Sequence, residues 1–239
     1  MYLAFHYKTQ EERPDPIIFN MKNFKIDIVS DVMCPWCVVG YKNLETALEQ
    51  LKDEMSADIT WHPFELNPDM PLEGQNLNEH LMQKYNLSEE QGDENRKNMF
   101  EAGQRAGFTF NFDGERIMIN SFDLHRLLTW AREEDKQTEL KLAMFEAHFT
   151  DLKYLNQEEA LLDVVESVGL DKEQARSILH SDKYVQTVRQ EQDRFKQLGI
   201  TSVPTFIIND KYAISGGQPS DSFIQALKQI SEEEAKQDA

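Results

Sequence analysis

The feature that most constrains this chain is its cysteine usage. Its only two cysteines, Cys34 and Cys37, stand in one Cys-Pro-Trp-Cys segment. The preceding run, Phe24–Ser30, alternates and then turns apolar, as β-strands do. Pro35 suits the first position of a helix, where its missing N–H is not needed, and apolar residues recur at helical spacing to about Met55. The sequence therefore predicts two thiols at the N-terminus of a helix that directly follows a strand.

Two thiols in this arrangement indicate redox chemistry. A dithiol oxidoreductase needs an exposed thiolate that attacks a disulfide and a second thiol that resolves the mixed disulfide. Unpaired N–H groups and the helix dipole stabilise a thiolate at Cys34, and such positions lower a cysteine pKa from about 8.5 to roughly 3.5–7.5. Cys37, one turn further in, is expected to be more shielded. We predict that Cys34 is the nucleophile, that Cys37 is the resolving thiol, and that the two form a redox-active disulfide.

A purely structural role for the cysteine pair is less well supported. A structural disulfide across so small a loop would stabilise little. A structural zinc site normally needs four ligands, and there is no second cysteine pair; His62 and His125 would have to converge on the first. Coincidental core cysteines would not account for Pro35 at the start of a helix. No metal and no resident cofactor are therefore expected.

The composition limits the classes of partner that the chain is expected to bind. Of its 239 residues, 25 are Lys or Arg and 43 are Asp or Glu, so the formal net charge is −18. Nucleic acids and anionic membranes are disfavoured, because affinity for both comes mainly from Lys and Arg. No stretch approaches the roughly 18 apolar residues of a membrane span, and the N-terminal residues lack a secretory signal pattern. We expect a cytoplasmic protein, either a monomer or a homodimer.

The order of predicted elements divides the chain into five segments. Residues 1–20 are predicted to be a mobile extension, with Met21 beginning the folded part. Strand, helix and strand follow, the second strand covering Asp58–Phe64, and the pattern is then almost wholly helical. A β-hairpin and a last helix, Asp221–Ile230, close the fold, and the acidic tail is expected to fray. The segments are 1–20, 21–65, 66–198, 199–231 and 232–239.

Within the helical segment, the stretch Phe108–Ile119 is ambiguous and fits a hairpin or an irregular loop. The β-hairpin predicted near the end of the chain is a separate feature, and its strands flank Asn209-Asp210-Lys211. The predicted helices of this segment are Asn78–Tyr85, Glu89–Ala106, Asn120–Glu134, Thr138–Phe149, Glu158–Val168, Lys172–Leu179 and Lys183–Leu198.

A second signal lies far from the cysteines. Thr201–Phe206 places Pro204 at the mouth of a strand, a position that tolerates a residue without an N–H. A strand–Cys-x-x-Cys–helix unit followed much later by Val-Pro-Thr-Phe resembles a DsbA-like thioredoxin fold. The resemblance implies an α/β protein, namely a thioredoxin fold with a large inserted α-helical domain.

A narrower resemblance is to the FrnE-like dithiol-disulfide isomerases. It rests on Ser30–Cys37, Trp61–Pro68 and Ser215–Gln218, and extends over most of the chain. It implies a cis Val203–Pro204 bond against the cysteines, with the Val203 backbone pairing to an extended substrate. Pro35, Trp36, Val203 and Pro204 would then shape the substrate-binding surface. The implied substrate is a thiol or disulfide, either a peptide or a small molecule.

Two departures from the periplasmic DsbA pattern suggest a less oxidising couple. Trp36 replaces a histidine that would favour the Cys34 thiolate. Asp31, three residues before Cys34, would oppose that thiolate if it lay close. The favoured interpretation of Asp31 is a solvated turn carboxylate.

Two alternative functions remain open. Glutathione-dependent enzymes, the 2-hydroxychromene-2-carboxylate isomerases and kappa-class transferases, form a related branch, and Asn120–Arg126 resembles a segment that lines their ligand cleft. In the favoured interpretation Asn120 instead caps a helix and His125 is partly buried. Glutathione is thus a candidate co-substrate, although Cys37 argues against an enzyme that only activates glutathione. The other alternative is a non-catalytic binding module or chaperone that uses the helical cleft.

Overall fold

The computed structural model describes residues 21–86 and 88–237. The predicted N-terminal extension, residues 1–20, lies outside the described residues, as do the last two residues of the predicted acidic tail.

The first part of the fold is a strand, a helix and a parallel strand. They are β1 (Lys22–Ser30), α1 (Pro35–Gln50) and β2 (Met55–Pro63). From Ile26 onward every residue of β1 is buried, as expected of a central strand covered on both faces. The predicted helix is confirmed, but α1 ends at Gln50 because Met55 already belongs to β2.

The inserted segment is mainly helical, as predicted. Phe108–Ile119 forms an irregular loop whose end pairs with a strand that precedes the first helix of the insertion. Glu89–Ala106 and Lys172–Leu179 have the predicted bounds, and the other helices agree within two residues at each end. The elements are β3 (Gln75–Asn76), α2 (Leu77–Tyr85), α3 (Glu89–Ala106), β4 (Ile117–Met118), α4 (Phe122–Glu133), α5 (Gln137–Phe149), α6 (Glu158–Ser167), α7 (Lys172–Leu179) and α8 (Val185–Gln197).

The chain then completes the sheet with the predicted hairpin and a helix. These elements are β5 (Thr205–Ile208), β6 (Tyr212–Ser215) and α9 (Ser220–Gln237). The strand order is β2-β1-β5-β6, with β5 antiparallel to both of its neighbours. This arrangement is a thioredoxin-type sheet interrupted by the helical insertion, so the predicted fold class is confirmed.

The expected fraying after residue 231 is wrong as far as Gln237. Glu234 accepts a hydrogen bond from Asn209 at 2.9 Å and pairs with Lys22 at 2.8 Å. Tyr212 donates to Glu233 at 3.1 Å. These bonds connect the acidic end of α9 to the sheet, a stabilisation that local sequence patterns do not reveal.

The insertion docks on the sheet domain through β2 and α1. The Gln137 side chain accepts from the Trp61 N–H and donates to the Trp61 carbonyl, both at 2.9 Å. The Trp61 indole N–H donates to Thr138 Oγ1 at 3.0 Å. The Gln137 side chain thus pairs with backbone groups of Trp61 that no neighbouring strand in the described part of the chain takes up at the β2 edge of the sheet. This pairing positions α5 against the core. None of the helices in the described part of the chain is long and apolar enough to cross a membrane.

Candidate active site

Cys34 and Cys37 stand at the first turn of α1, as predicted. Cys34 is the N-cap residue, with extended backbone angles, and its carbonyl accepts the Cys37 N–H at 3.1 Å. Both cysteines are free thiols in this structure. Cys37 is fully buried, which confirms that it is the more shielded of the two. The expectation of an exposed first thiol is wrong, because Cys34 is only 4% exposed.

The second element of the site, the proline loop, lies directly against the first cysteine. The Val203–Pro204 peptide bond is cis, and Cys34 Sγ lies 3.7 Å from the Val203 carbonyl oxygen. Val203 is half-buried and Pro204 is buried. The fold therefore brings together two sequence signals that are far apart in the chain.

Trp36 and the turn after β6 complete the surface around Cys34. The Trp36 side chain is 41% exposed, while Pro35 is half-buried. A Cβ added at Gly217 would lie 3.1 Å from the Trp36 carbonyl oxygen and 3.4 Å from the Gly40 nitrogen. Only a residue without a side chain allows the backbone to approach α1 so closely. The turn at Gly217 therefore lies beside the cysteines, as the fold implies.

The two thiols influence each other's titration. Their mutual hydrogen bond, followed by burial, raises the pKa of Cys34, so the expectation that its place at the helix N-terminus lowers that pKa is wrong for the reduced dithiol. Burial opposes ionisation of Cys37 as well, but Cys34, Ser30, the charge of Lys141 and the Asp31 backbone together lower the pKa of Cys37. Access then decides which sulfur meets a substrate, and Cys34, at 4% exposure, is more accessible than the fully buried Cys37.

Asp31 is buried, so its interpretation as a solvated turn carboxylate is wrong. It is 1% exposed, and its carboxylate accepts the Met33 N–H at 3.1 Å and the Leu66 N–H at 2.7 Å. His125 Nε2 lies 3.5 Å away. Burial opposes the charge, but His125 and the two N–H groups lower the pKa of Asp31. Asp31 therefore stays ionised, and its charge contributes to raising the pKa of Cys34.

Lys141 is a functional candidate that the sequence interpretation missed. It lies on α5 and is 1% exposed, and it interacts electrostatically with Cys37, Asp31 and Cys34. The sequence contains only a weak indication that Lys141 is buried. On a helix, Lys141 shares a face with Gln137 and Phe145, so a charged residue occupies an otherwise inward-facing position. Ser30 was also missed. Its buried hydroxyl lies beside Cys37 and has no hydrogen-bond partner among the described residues.

The two histidines considered as zinc ligands lie in separate networks. His62 places its ring nitrogens 2.8 Å from Asp27 and 3.1 Å from Glu191. His125 Nε2 lies 2.9 Å from the Phe64 carbonyl. Among residues 21–86 and 88–237, no three His, Cys, Asp or Glu side chains group together as a metal site.

The segment Asn120–Arg126 has mainly structural contacts. Asn120 accepts the Phe122 N–H at 2.9 Å, at the start of α4. The buried Arg126 donates to the Lys183 carbonyl at 2.9 Å. The segment is thus helix start and core, but two details of the favoured interpretation are wrong: the N-cap residue is Ser121 rather than Asn120, and His125 is buried rather than partly buried.

An open cleft adjoins the site on the side of the insertion. It has a volume of about 360 Å³. One wall is the loop after β2, which bonds to Asp31 through Leu66. The opposite wall is α8 and the residues that lead to Val203. The residues lining it are Phe64, Glu65, Pro68, Arg189, Gln192, Asp193, Lys196, Ile200 and Thr201.

Comparison with known proteins agrees with this architecture. A family model described as a DSBA-like thioredoxin domain matches residues 25–228. Among curated proteins, the chain is similar to YwbO, an uncharacterised protein of Bacillus subtilis strain 168. The two are 28% identical over 88% of this chain and 98% of the relative.

Solved structures show the same relationship. The probable DsbA oxidoreductase SCO1869 from Streptomyces coelicolor has a TM-score of 0.80 and 33% identity, covering 86% of this chain and 89% of its own. The cytosolic disulfide reductase DsbM from Pseudomonas aeruginosa, solved with glutathione, has a TM-score of 0.60 and 15% identity, covering 87% of this chain and 99% of its own. The second comparison shows a shared fold.

Proposed function

We propose a dithiol-exchange mechanism for this chain, which belongs to the DSBA-like thioredoxin domain family and is a thiol-disulfide oxidoreductase. The Cys34 thiolate attacks one sulfur of a substrate disulfide, forms a mixed disulfide and releases the other substrate sulfur as a thiolate. The Cys37 thiolate then attacks Cys34 Sγ and releases the second substrate thiolate. The substrate gains two electrons, and the protein keeps a Cys34–Cys37 disulfide. The reverse sequence oxidises a dithiol.

The observation that carries this proposal is the unequal setting of the two sulfurs. Cys34 Sγ lies 3.7 Å from the Val203 carbonyl oxygen of the cis-proline loop and Cys34 keeps 4% exposure, whereas Cys37 is fully buried. An external disulfide can therefore reach Cys34, whereas Cys37 can meet only a disulfide already formed on Cys34. This is the order of events that nucleophilic attack and resolution require.

The substrate-binding surface is formed by Pro35, Trp36, Val203 and Pro204. An extended substrate pairs with the Val203 backbone, in the manner of an added strand, and rests on the exposed Trp36 ring. This arrangement accepts a peptide or a small disulfide, and an isomerase of the FrnE-like type would work on the same surface. We place the activity in the cytoplasm, where a reducing thiol pool regenerates the dithiol; the fold shared with a cytosolic reductase supports this.

Glutathione is a second candidate substrate, as the reductant or as the co-substrate of an isomerase or transferase. The solved DsbM structure contains glutathione, and an open cleft runs along the residues that lead to Val203. The two functions differ in their need for Cys37. An enzyme that only activates glutathione keeps its activity in Cys37→Ser, whereas dithiol exchange loses turnover.

The test is equilibration of the purified protein in glutathione buffers of graded ratio at pH 7, followed by alkylation and intact-mass measurement. A reversible Cys34–Cys37 disulfide supports dithiol exchange. A potential near about −270 mV indicates a reductase, and one near −120 to −180 mV an oxidant or isomerase. Glutathione adducts without an intramolecular disulfide would contradict dithiol exchange and favour the glutathione-dependent function.

The variant Cys34→Ala distinguishes a chaperone role from disulfide exchange. Loss of insulin-disulfide reduction is expected, because the attacking sulfur is gone. Aggregation suppression that survives in this variant would assign the helical cleft a separate binding function, and loss of both activities would count against that alternative.

A further inference from the structure

Lys141 is buried in a way that ordinary packing does not explain. Lysine side chains are almost never fully buried unless they are paired. Lys141 is nevertheless among the largest fully buried side chains, at 1% exposure. Within the described part of the chain, its ammonium group makes no hydrogen bond or salt bridge to a side chain or backbone atom. A charged group in this position needs another source of stabilisation.

The ammonium group of Lys141 lies beside the face of α1 that carries Cys37. Nζ is 5.0 Å from the centroid of the Phe145 ring and 5.4 Å from that of Trp61. Trp61 in turn packs on Tyr41, with ring centroids 5.0 Å apart. Tyr41 follows Cys37 by four residues on α1, so the two share one helix face. The rings hold the ammonium by cation–π contacts, and it is near enough to Cys37 for its charge to lower the pKa of that thiol.

The negative charges that face Lys141 come from the active site. Burial lowers the pKa of Lys141 to about 8, and Cys37, Asp31 and Cys34 oppose that decrease. Tyr41, the nearest phenol, has its pKa raised by burial and by Glu45 and Glu139, so it stays neutral. Lys141 therefore changes its charge near pH 8, and a thiolate on the cysteines favours the charged form.

Asp31 is not suited to accept the proton of Cys37. Both carboxylate oxygens already accept backbone N–H bonds, from Met33 and Leu66, and His125 lies on the same group. These partners favour the ionised form, and the pKa of Asp31 is lowered. A carboxylate stabilised in this way is a weak base, which leaves Lys141 as the titratable group on the Cys37 side.

We propose that Lys141 is the buried base that takes the proton of Cys37 and then, as an ammonium, stabilises the Cys37 thiolate during resolution. The inference rests on the dithiol function proposed above. Cys37 passes its proton to the Lys141 amine. The thiolate attacks Cys34 Sγ, the Cys34–substrate bond breaks, and the substrate leaves as a thiolate that takes a proton from water. Once Cys37 is neutral in the new disulfide, the buried ammonium releases its proton.

The buried Ser30 hydroxyl fits the same step. It lies beside Cys37 without a hydrogen-bond partner among the described residues, so it can donate to the thiolate when the thiolate forms. Lys141 and Ser30 would thus supply a positive charge and a hydrogen bond on the side of Cys37 that faces away from the substrate.

The experiment follows the two thiol-exchange steps separately in the full chain. The reduced protein is mixed with 5,5′-dithiobis(2-nitrobenzoate) in a stopped-flow instrument. Attack by Cys34 releases a first equivalent of coloured thiolate, and attack by Cys37 on the mixed disulfide releases a second. In the unchanged protein, the rate of the second release is expected to rise with pH to a plateau, with a midpoint near the pKa of about 8 assigned to Lys141.

In Lys141→Met, the second release is expected to slow by roughly 10²-fold or more at pH 7, the usual contribution of a positioned base. The first release should slow much less, because Cys34 keeps its place at the helix N-terminus. The control is Lys136→Met, at the N-cap of the same helix, where the lysine side chain is 42% exposed; this variant should behave like the unchanged protein. Equal slowing of both steps, or of neither, would overturn the proposal.

Lys141→Arg separates charge from proton transfer. A guanidinium stays charged, so the second release should be faster than in Lys141→Met and should lose its pH step near 8. If neither variant folds, the pH profile of the unchanged protein still decides: a second release that does not depend on pH would refute the base. A chain that releases only one equivalent would instead contradict the dithiol function itself, so the two failures are distinguishable.

Discussion

The two cysteines of the site are only three residues apart in the sequence. The groups that surround them nevertheless come from different parts of the fold. Cys34 faces groups of the thioredoxin-type half, namely the Val203 carbonyl and Trp36 with its neighbouring turn. Cys37 is fully buried, and the charge of Lys141, which belongs to the inserted helices, favours its thiolate. In the proposed mechanism, the sheet domain provides substrate access, and the insertion provides the electrostatic environment of resolution. A helical insertion can therefore tune the chemistry of a thioredoxin-type site from behind as well as cover it.

The largest effect should come from exchanging one sulfur at a time. Cys34→Ser is expected to abolish disulfide exchange, because no nucleophile then reaches the surface. Cys37→Ser should still attack a disulfide and accumulate the mixed disulfide, since no thiol resolves it. Intact mass after incubation with oxidised glutathione distinguishes these outcomes: no adduct in the first variant and one glutathione in the second. The opposite pattern would reverse the roles of the two cysteines.

The next largest effect is expected for Asp31→Asn, which removes a charge that acts on Cys34. The variant removes a buried charge, but its amide cannot accept both the Met33 and Leu66 N–H groups. Leaving a buried donor unpaired costs about 1–3 kcal/mol of unfolding free energy, measured by urea denaturation. Asp69→Asn, at an exposed position, is the control and should change little.

The same variant tests the direction in which the pKa of Asp31 is shifted. The folded-state pKa of Asp31 is lowered, so its contribution to stability is present above the unfolded pKa and is lost as pH falls through the folded one. The loss of stability caused by Asp31→Asn should therefore shrink in acid. A loss that stays constant to the acid limit would contradict the lowered pKa.

His62→Gln should have a smaller effect and should leave thiol chemistry unchanged. Burial disfavours the His62 charge, but hydrogen bonds with Asp27 and Glu191 prevail and raise its pKa. The resulting stabilisation is present below the unfolded pKa and is lost as pH rises through the folded one. The variant should therefore cost more stability at pH 5.5 than at pH 8.5, by on the order of 1 kcal/mol. An equal cost at both values would indicate that His62 stays neutral.

Trp36→Ala should have the smallest effect on stability. An exposed side chain of this kind contributes within about 0.5 kcal/mol, and thermal unfolding checks that figure. The change should instead raise KM for a peptide disulfide and leave KM for a small aromatic disulfide unaltered, because only the longer substrate reaches the Trp36 ring. If both substrates respond equally, Trp36 supports the structure of the site rather than substrate binding.

Much of the fold was predictable from local patterns. The strand–helix start at Cys34, the hairpin after Pro204 and the bounds of Glu89–Ala106 depend on residue periodicity and capping, which act over a few neighbouring residues. The pairing of β3 with β4 was not predictable, because each strand has two residues and its partner lies far along the chain.

The sequence by itself determined the cysteine pair, its place at a helix start and the proline that meets it, because these properties belong to residue types at short spacing. Tertiary structure alone decided that Cys34 is nearly buried, that Asp31 is an internal carboxylate and that Lys141 lies behind Cys37. Burial and charge proximity depend on which distant segments pack together. A lysine on an apolar helix can end in water or beside a thiol, and the docking of α5 on β2 and α1 placed this one beside the thiol.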